Sequence, residues 1–212
     1  MARLHFTSKQ LTKTQDIIKA QALLYRVYML EQDWILSADN PSNLHVKKSQ
    51  GLAYLTDDYA RKARWFGVYD ADSLIACGRL AYRDDHRLLE MERYNIPQTL
   101  RVKLRADHSP HLVELNRSAL EKEYRGTKAW VCLLQAGFNY CKQHDLAAVS
   151  STSFTKVQRF HDAIGFTEVA GAGFKYDTNE KDDSVVYYAT QEQVVKIAAT
   201  LDKIIEDYTR TN

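Results

Sequence analysis

The sequence predicts a single α/β domain in which a mixed sheet is covered by helices. Three observations carry that reading. Two aromatic and β-branched runs, RWFGVYD and SLIACGRLAYR, follow one another across Asp70-Ala71-Asp72-Ser73 and read as a β-hairpin. The unit HLVELNRSAL, then YRGTK, then an amphipathic stretch, then LAAVSSTS reads as strand, loop, helix, strand. Strands cluster around that unit, and helical segments flank the set, which is the pattern of a sheet with helices packed on it.

The totals agree with one soluble domain. The chain has 212 residues, 45% hydrophobic and 26% charged, enough to build a core. A net charge of +2 is too small to argue for nucleic acid or a membrane surface through bulk charge. Cys77, Cys132 and Cys141 cannot all pair and none lies in a CxxC, so neither a disulfide framework nor a zinc site is expected. The stretch MARLHFTSKQLTKTQD lacks the apolar run of a signal peptide, and no apolar stretch approaches the roughly 20 residues of a membrane span. A reducing cytoplasm is the expected location. With 8 Gly and 3 Pro the chain carries little punctuation and no linker, so residues 1 to 212 are expected to form one unit.

The elements follow in order. Residues 13 to 33 are expected to be helical, because Ile17, Ile18, Leu24, Tyr25, Tyr28 and Met29 recur at helical spacing, with Thr14 as N-cap. Residues 35 to 55 are polar and read as loop, with a turn at Asn40-Pro41. The hairpin at 64 to 83 comes next. In 85 to 108, Leu88, Leu89, Met91 and Tyr94 suggest a short helix, then a loop at Ile96-Pro97. Residues 111 to 120 are a strand. Residues 128 to 144 are a helix whose core face is Val131, Leu134, Phe138 and Cys141. A buried strand at 146 to 153 precedes a short helix at 155 to 163, stopped by Gly165. Strands at 166 to 176 and 184 to 189 flank EKDDS, read as a solvated turn. A last amphipathic helix, 191 to 208, places Val194, Ile197, Ala198, Leu201 and Ile205 on one side and is expected to pack on the domain.

Candidate chemistry concentrates in 111 to 134. A strand feeding a helix leaves the first helical N–H groups without partners, and their partial positive charge suits phosphate. Arg125 and Lys128 add full charges, and Gly126 permits close backbone approach, so Arg125, Gly126, Thr127 and Lys128 are a candidate phosphate cradle. The competing reading is a polar connection with an ordinary cap. Glu114 lies among Leu112, Val113 and Leu115, where a carboxylate is costly unless paired or used. A buried Glu with a raised pKa can serve as general base toward an amine; the alternative is a structural ion pair or strand edge. Arg117 is a candidate partner, yet in a regular strand positions 114 and 117 face opposite ways, so pairing needs a bulge.

VELNRSALEKEYRGTKAWVCLLQAGFNYCKQHDL followed by TKVQRFHDAIGFTEV resembles the acyl-CoA-binding core of the GNAT N-acyltransferase superfamily. The matching features are a strand, a phosphate loop of R/Q-x-x-G-x-G/A type, a helix, a strand, and a helix leading into a "GF" strand start. Two departures stand out: the last small residue of the loop is displaced to Ala129, and His161 stands where many members carry a tyrosine acid. ALLYRVYMLEQDW, GRLAYR and VELNR narrow the resemblance to the branch containing acyl-homoserine-lactone (autoinducer) synthases and long-chain N-acyl amino acid synthases. The residues that match are Arg26, Trp34, Arg79, Glu114 and Arg117, with Asn116 in place of Ser and Asp58 as a weak acidic match.

The resemblance implies a GNAT-like, mostly antiparallel twisted sheet and an acyl thioester donor, either acyl-CoA or the phosphopantetheine of an acyl carrier protein. The donor arm would lie between strands 111 to 120 and 146 to 153, with an amine such as that of an amino acid as acceptor. It implies catalytic roles for Glu114, Arg117 and His161, and oxyanion or donor contacts at Ser118, Ala119 and Leu120. Acceptor contacts are implied at Arg26, Trp34, Asp58 and Arg79. Arg26 and Arg79 would clamp a carboxylate through forked hydrogen bonds, or else tie the fold to Asp57, Asp58 or Glu114. Trp34 and Trp65 would line an acyl channel, or, as is more usual, pack the core. No metal is implied. Two alternatives stand beside the synthase reading: a short-chain acetyltransferase, and a non-catalytic thioester-binding module of the same fold.

Overall fold

The computed structural model describes residues 6–49, 51–84, 86–106, 111–176 and 182–211. Chain order is β1 (Phe6–Leu11), α1 (Thr14–Tyr25), β2 (His45–Ser49), β3 (Leu52–Thr56), β4 (Arg64–Asp70), β5 (Ser73–Ala81), α2 (Gln98–Ala106) and β6 (Leu112–Leu120). Then come α3 (Ala129–Gln143), β7 (Ala147–Thr152), α4 (Thr155–Ile164), β8 (Thr167–Glu168), β9 (Val185–Ala189) and α5 (Gln191–Thr211). Seven strands form one sheet in the order β1-β4-β5-β6-β7-β9-β8, and β2-β3 form a separate hairpin. Among the described residues, only β6 and β7 pair in parallel, and every other strand pair is antiparallel.

The sheet is covered on both faces because its strands are apolar on both faces. On one side α3 and α5 pack Phe138, Cys141, Val194, Ile197, Ala198 and Leu201 against Phe66, Val68, Ile75, Val113 and Leu115. On the other, α1 and the β2-β3 hairpin pack Leu23, Leu24 and Leu55 against Trp65, Cys77 and Ala119. Further along that face, α2 lays Leu100 and Leu104 against Leu112, Ala147, Val149 and Val186. Each such aliphatic side chain contributes about 1.5–3 kcal/mol by leaving water.

Several expectations are corrected. Helix α1 stops being α-helical at Tyr25, and Arg26–Glu31 form a π-helical turn whose end hands the chain to Trp34. Its N-cap is Lys13, without a side-chain bond, rather than Thr14. The polar stretch read as loop contains the β2-β3 hairpin; β2 is polar at His45, Lys47, Lys48 and Ser49, and in β3 only Leu55 is buried, so neither strand shows the apolar alternation that marks a strand. Strand β1 is an edge strand with four of six positions polar or exposed, and it escaped for the same reason. The helix expected within 85 to 108 is a 3-10 turn, Glu90–Arg93, and the longer helix α2 follows Pro97. Of the strand expected at 166 to 176, Thr167–Glu168 and a single bridge at Phe174 pair. Gly165 does end α4, at φ +86°. Within EKDDS, Glu180 and Lys181 lie outside the described residues.

Candidate functional site

A bulge in β6 builds the site. Cys77 pairs with Ala119, but Arg79 pairs with Asn116, so one residue of β5 spans Arg117 and Ser118 of β6. Arg117 takes φ +49°, an uncommon left-handed conformation. The extra residue shifts the side-chain alternation. Leu112, Glu114 and Asn116 share the α1/α2 face with Ala119, and Arg117 is swung onto that face as well. Glu114 and Arg117, which a regular strand would separate, end on one side. The neighbouring strand accommodates this through Gly78, where an added Cβ would lie 2.9 Å from Ser118 Oγ.

Beyond the bulge the sheet opens. β6 and β7 are paired from Leu112/Ala147 to Leu115/Ser150 and no further. A cavity of about 640 Å³ fills the resulting wedge, bounded by Leu115–Ser118, by Ser150–Phe154 and by the loop after the π-helical turn. Trp34, Leu36, Leu44, Leu134 and Val157 give it an apolar wall, and Ile35 and Phe154 stand exposed at its lip. Ser118 and Leu120 turn their carbonyls to this open edge, where Tyr28 Oη donates at 3.0 Å and Arg125 Nη2 at 3.3 Å. Ala119 instead faces β5, which takes it out of the candidate donor contacts.

A buried ionic cluster forms the inner wall. Arg79 donates Nη1 and Nη2 to Asp57 at 2.7 Å each, Nη2 to Glu90 at 2.7 Å and Nε to Asn116 Oδ1 at 2.7 Å. Arg117 donates to Glu90 Oε1, and its Nε reaches Asp57 at 3.3 Å. Two arginines thus face two carboxylates, all nearly excluded from water. Burial alone would raise Asp57, but Arg79 and then Arg117 overcome it and hold its carboxyl down at about 2.

Glu114 is the fifth ion and has no cation of its own. It is fully buried; Oε2 accepts Met91 N–H at 3.0 Å, and Oε1 accepts Asn116 Nδ2 at 3.1 Å and Tyr176 Oη at 3.5 Å. Burial, then the neighbouring Glu90 charge, raises its pKa to about 7. A carboxyl so poised is a competent general base near neutrality.

The remaining sequence candidates are placed as follows. Trp34 lines the cavity, edge-on to Tyr28 at 4.9 Å between centroids. Trp65 is core, with Arg79 over its ring at 5.5 Å. Arg79 is sealed in the ion cluster, the structural tie rather than a free clamp. Arg26 is exposed, 2.5 Å from Glu121, and off the cavity wall. Asp58 is exposed, bonded to Arg93 and Asn43 and off the cavity wall, while its neighbour Asp57 is the buried carboxylate of the cluster. Arg125 lines the cavity while paired to Glu31. Gly126 takes φ +84° beside open space, Thr127 Oγ1 caps Ala129 N–H at 3.2 Å, and Lys128 turns away over the Tyr208 ring at 4.4 Å. Of the four loop candidates, Arg125 lines the cavity and Lys128 points away from it.

His161 lines the cavity but is 2% exposed and edge-on to both Phe166 and Tyr187. Burial lowers its pKa to about 4, which favours the neutral imidazole. Cys77 is buried and burial raises its thiol to about 12. The Arg79–Asp57 tie was among the sequence alternatives; sequence reasoning missed Glu90, Ser151 and Tyr176. Glu90 was the most findable, as an acid inside the apolar run LLEM.

A mostly antiparallel sheet that splays at one parallel pair beside a bulged strand defines the GNAT fold. No family model and no curated protein matches the sequence. Solved structures do match the fold. FeeM, an N-acyl amino acid synthase from uncultured soil microbes, superposes with TM-score 0.62 at 14% identity, covering 90% of this chain and 93% of that one. The AHL synthase LasI gives 0.59 at 15% identity, covering 89% and 91%. A GNAT-family acetyltransferase from Staphylococcus aureus Mu50 gives 0.54 at 12% identity, covering 88% and 99%. The synthase branch read from the sequence is thus represented among the structures that share this fold. Among the described residues, no helix is long and apolar enough to cross a membrane, and no cluster of His, Cys, Asp or Glu is arranged to hold a metal ion.

Proposed function

We propose that this protein is an N-acyltransferase that moves an acyl group from an acyl thioester to the amine of a small molecule such as an amino acid. The observation that carries the reading is the cavity in the β6/β7 wedge. It joins an apolar wall to an ionic floor within about 640 Å³, within the roughly 300–1,000 Å³ range of ligand pockets. An acetyl group would use little of that wall, which favours a longer acyl chain over the acetyltransferase alternative. The donor is acyl-CoA or the phosphopantetheine arm of an acyl carrier protein, its phosphate at Arg125 and the Gly126–Thr127 backbone.

In this reading the thioester carbonyl sits at the open edge of β6. Leu120, whose carbonyl already faces that edge, presents its N–H the same way, since both groups of a residue in an antiparallel strand point to one side. That N–H would stabilise the oxyanion. The amine attacks, thiolate leaves, and the amine proton ends on Glu114. Arg117 and Arg79 act through Glu90 and Asp57, holding the acidic floor in place for the acceptor.

The test is thiol release with acyl-CoA and acyl-carrier-protein donors of increasing chain length and a panel of amino acids, with products identified by mass spectrometry. Long-chain amide products are expected. An acetyl-only profile would select the short-chain alternative, and donor binding with no turnover for any amine would select the non-catalytic module.

A further inference from the structure

Glu114 is walled off from the cavity, which poses a question of proton traffic. It is 0% exposed and is not among the residues lining the wedge. Its contacts were considered in turn as conduits. Met91 contributes a peptide N–H, which does not exchange protons on a catalytic timescale. Asn116 is an amide with its groups committed: Oδ1 accepts Arg79 Nε at 2.7 Å, and Nδ2 donates to Glu90 at 2.7 Å and to Glu114 at 3.1 Å. Tyr176 is different. Its hydroxyl reaches Glu114 Oε1 at 3.5 Å and Ser151 Oγ at 2.6 Å, and both Tyr176 and Ser151 line the cavity. Ser151 lies on β7 on the same face as Glu114 on β6, where the two strands begin to part.

We propose that Ser151 and Tyr176 are proton-relay residues that connect the acceptor amine in the cavity to the enclosed carboxylate of Glu114. The proposal rests on the acyltransfer reading above. The direction is set by the bonds: Tyr176 donates to the acceptor-only carboxylate, so Ser151 donates to Tyr176, leaving a Ser151 lone pair for the cavity. The amine lone pair forms the N–C bond, and the C–S pair leaves as thiolate. A proton from the attacking nitrogen passes to Ser151 Oγ as the serine proton passes to Tyr176 Oη and the tyrosine proton to Glu114 Oε1. The N–H pair stays on nitrogen, both hydroxyls are regenerated, and Glu114 ends as the neutral acid. Besides Tyr176, the charged and titratable groups that act on Glu114 are Glu90 and Arg79 in the cluster and Tyr59 before β4; Glu90 and Arg79 are bonded to each other, and Arg79 also to Asp57.

Two measurements test it on the full chain. Thiol release is followed from pH 5.5 to 9 for the native protein, Tyr176→Phe, Ser151→Ala and the double variant. A relay lowers kcat about a hundred-fold in each single variant, removes the acidic limb of the pH profile, and makes the double variant no worse than the worse single. Native kcat with an intact acidic limb in Tyr176→Phe overturns it, and so does a multiplicative loss in the double variant. Infrared difference spectroscopy, with Glu114→Gln as the reference, follows the Glu114 carboxyl without turnover. The relay requires its midpoint to rise in Tyr176→Phe, and an unchanged midpoint overturns the proposal. Should the native protein release no thiol with any donor and amine, the acyltransfer reading fails on that result, and the infrared midpoint still decides whether Tyr176 is coupled to Glu114.

Discussion

Replacing Glu114 by glutamine separates the energetics of the site from its chemistry. Folding carries Glu114 from the model value 4.5 to about 7, because burial and Glu90 disfavour its charge. The folded protein therefore binds this proton more tightly than the unfolded chain. Its contribution to stability is complete below the unfolded pKa and is lost as pH rises through the folded one. Between pH 5 and pH 8 that loss amounts to about 2–3 kcal/mol. Glutamine cannot titrate, so the difference in unfolding free energy between native and Glu114→Gln proteins shifts by this amount over the interval, whatever constant offset the altered hydrogen bonds introduce. Urea unfolding at pH 5, 6, 7 and 8 measures it, and in melting temperature it corresponds to a relative shift of roughly 5–10 °C for a chain of this size. The native protein gains on the variant as pH falls. Parallel stability profiles, with an offset that does not move with pH, would refute the reasoning, since they would mean that Glu114 is neither desolvated nor pressed by Glu90. In turnover the same variant is expected to lose about 10²–10⁴-fold in kcat.

Four further outcomes follow from the same contacts. Asp57→Asn leaves Arg79 and Arg117 short of a buried counter-charge and should cost about 3–5 kcal/mol, whereas Asp58→Asn should stay within about 0.5 kcal/mol; urea midpoints of the pair distinguish them. Gly137 lies inside α3, and an added Cβ there meets nothing within 4 Å, so Gly137→Ala should stabilise by about 1 kcal/mol, seen as a higher melting temperature. Gly78→Ala presses a Cβ against Ser118 at 2.9 Å and should reduce kcat by shifting the bulge, even where a melting curve shows the fold retained. His161 is held neutral with a pKa of about 4. Its contribution is full above the unfolded value of about 6.5 and lost as pH falls through 4. His161→Phe should therefore flatten acid unfolding and leave the pH limbs of turnover where they were.

Much of the architecture was legible in local pattern. The hairpin over β4 and β5, the strand–loop–helix–strand run from β6 to β7, the Gly165 stop and the apolar stripe of α5 each follow from spacing within a dozen residues. Strands β1, β2 and β3 were not legible, because β1 and β2 are mostly polar and β3 buries only Leu55, so none shows apolar alternation. Part of the site was legible too. A carboxylate among Leu112, Val113 and Leu115 needs a reason, but the sequence reading held only that a direct Glu114–Arg117 pair would need a bulge; the bulge exists without that pair. Their partners were not anticipated, since Arg117 goes to Glu90 and Asp57 and leaves Glu114 unpaired.

By itself, then, the sequence determined the α/β class, the strand–loop–helix–strand run from β6 to β7 and the suspicion attached to its buried glutamate. Tertiary structure alone decided that Asp57 rather than Asp58 turns inward, that Glu90 joins from a 3-10 turn, that Tyr176 reaches the enclosed carboxylate while bonded to Ser151, and that His161 is nearly buried against Phe166 and Tyr187. The reason is physical. A face is set by backbone periodicity over neighbouring residues, whereas a buried charge takes its pKa from whichever distant groups sheet order and register bring within a few ångströms, and no local pattern encodes that meeting.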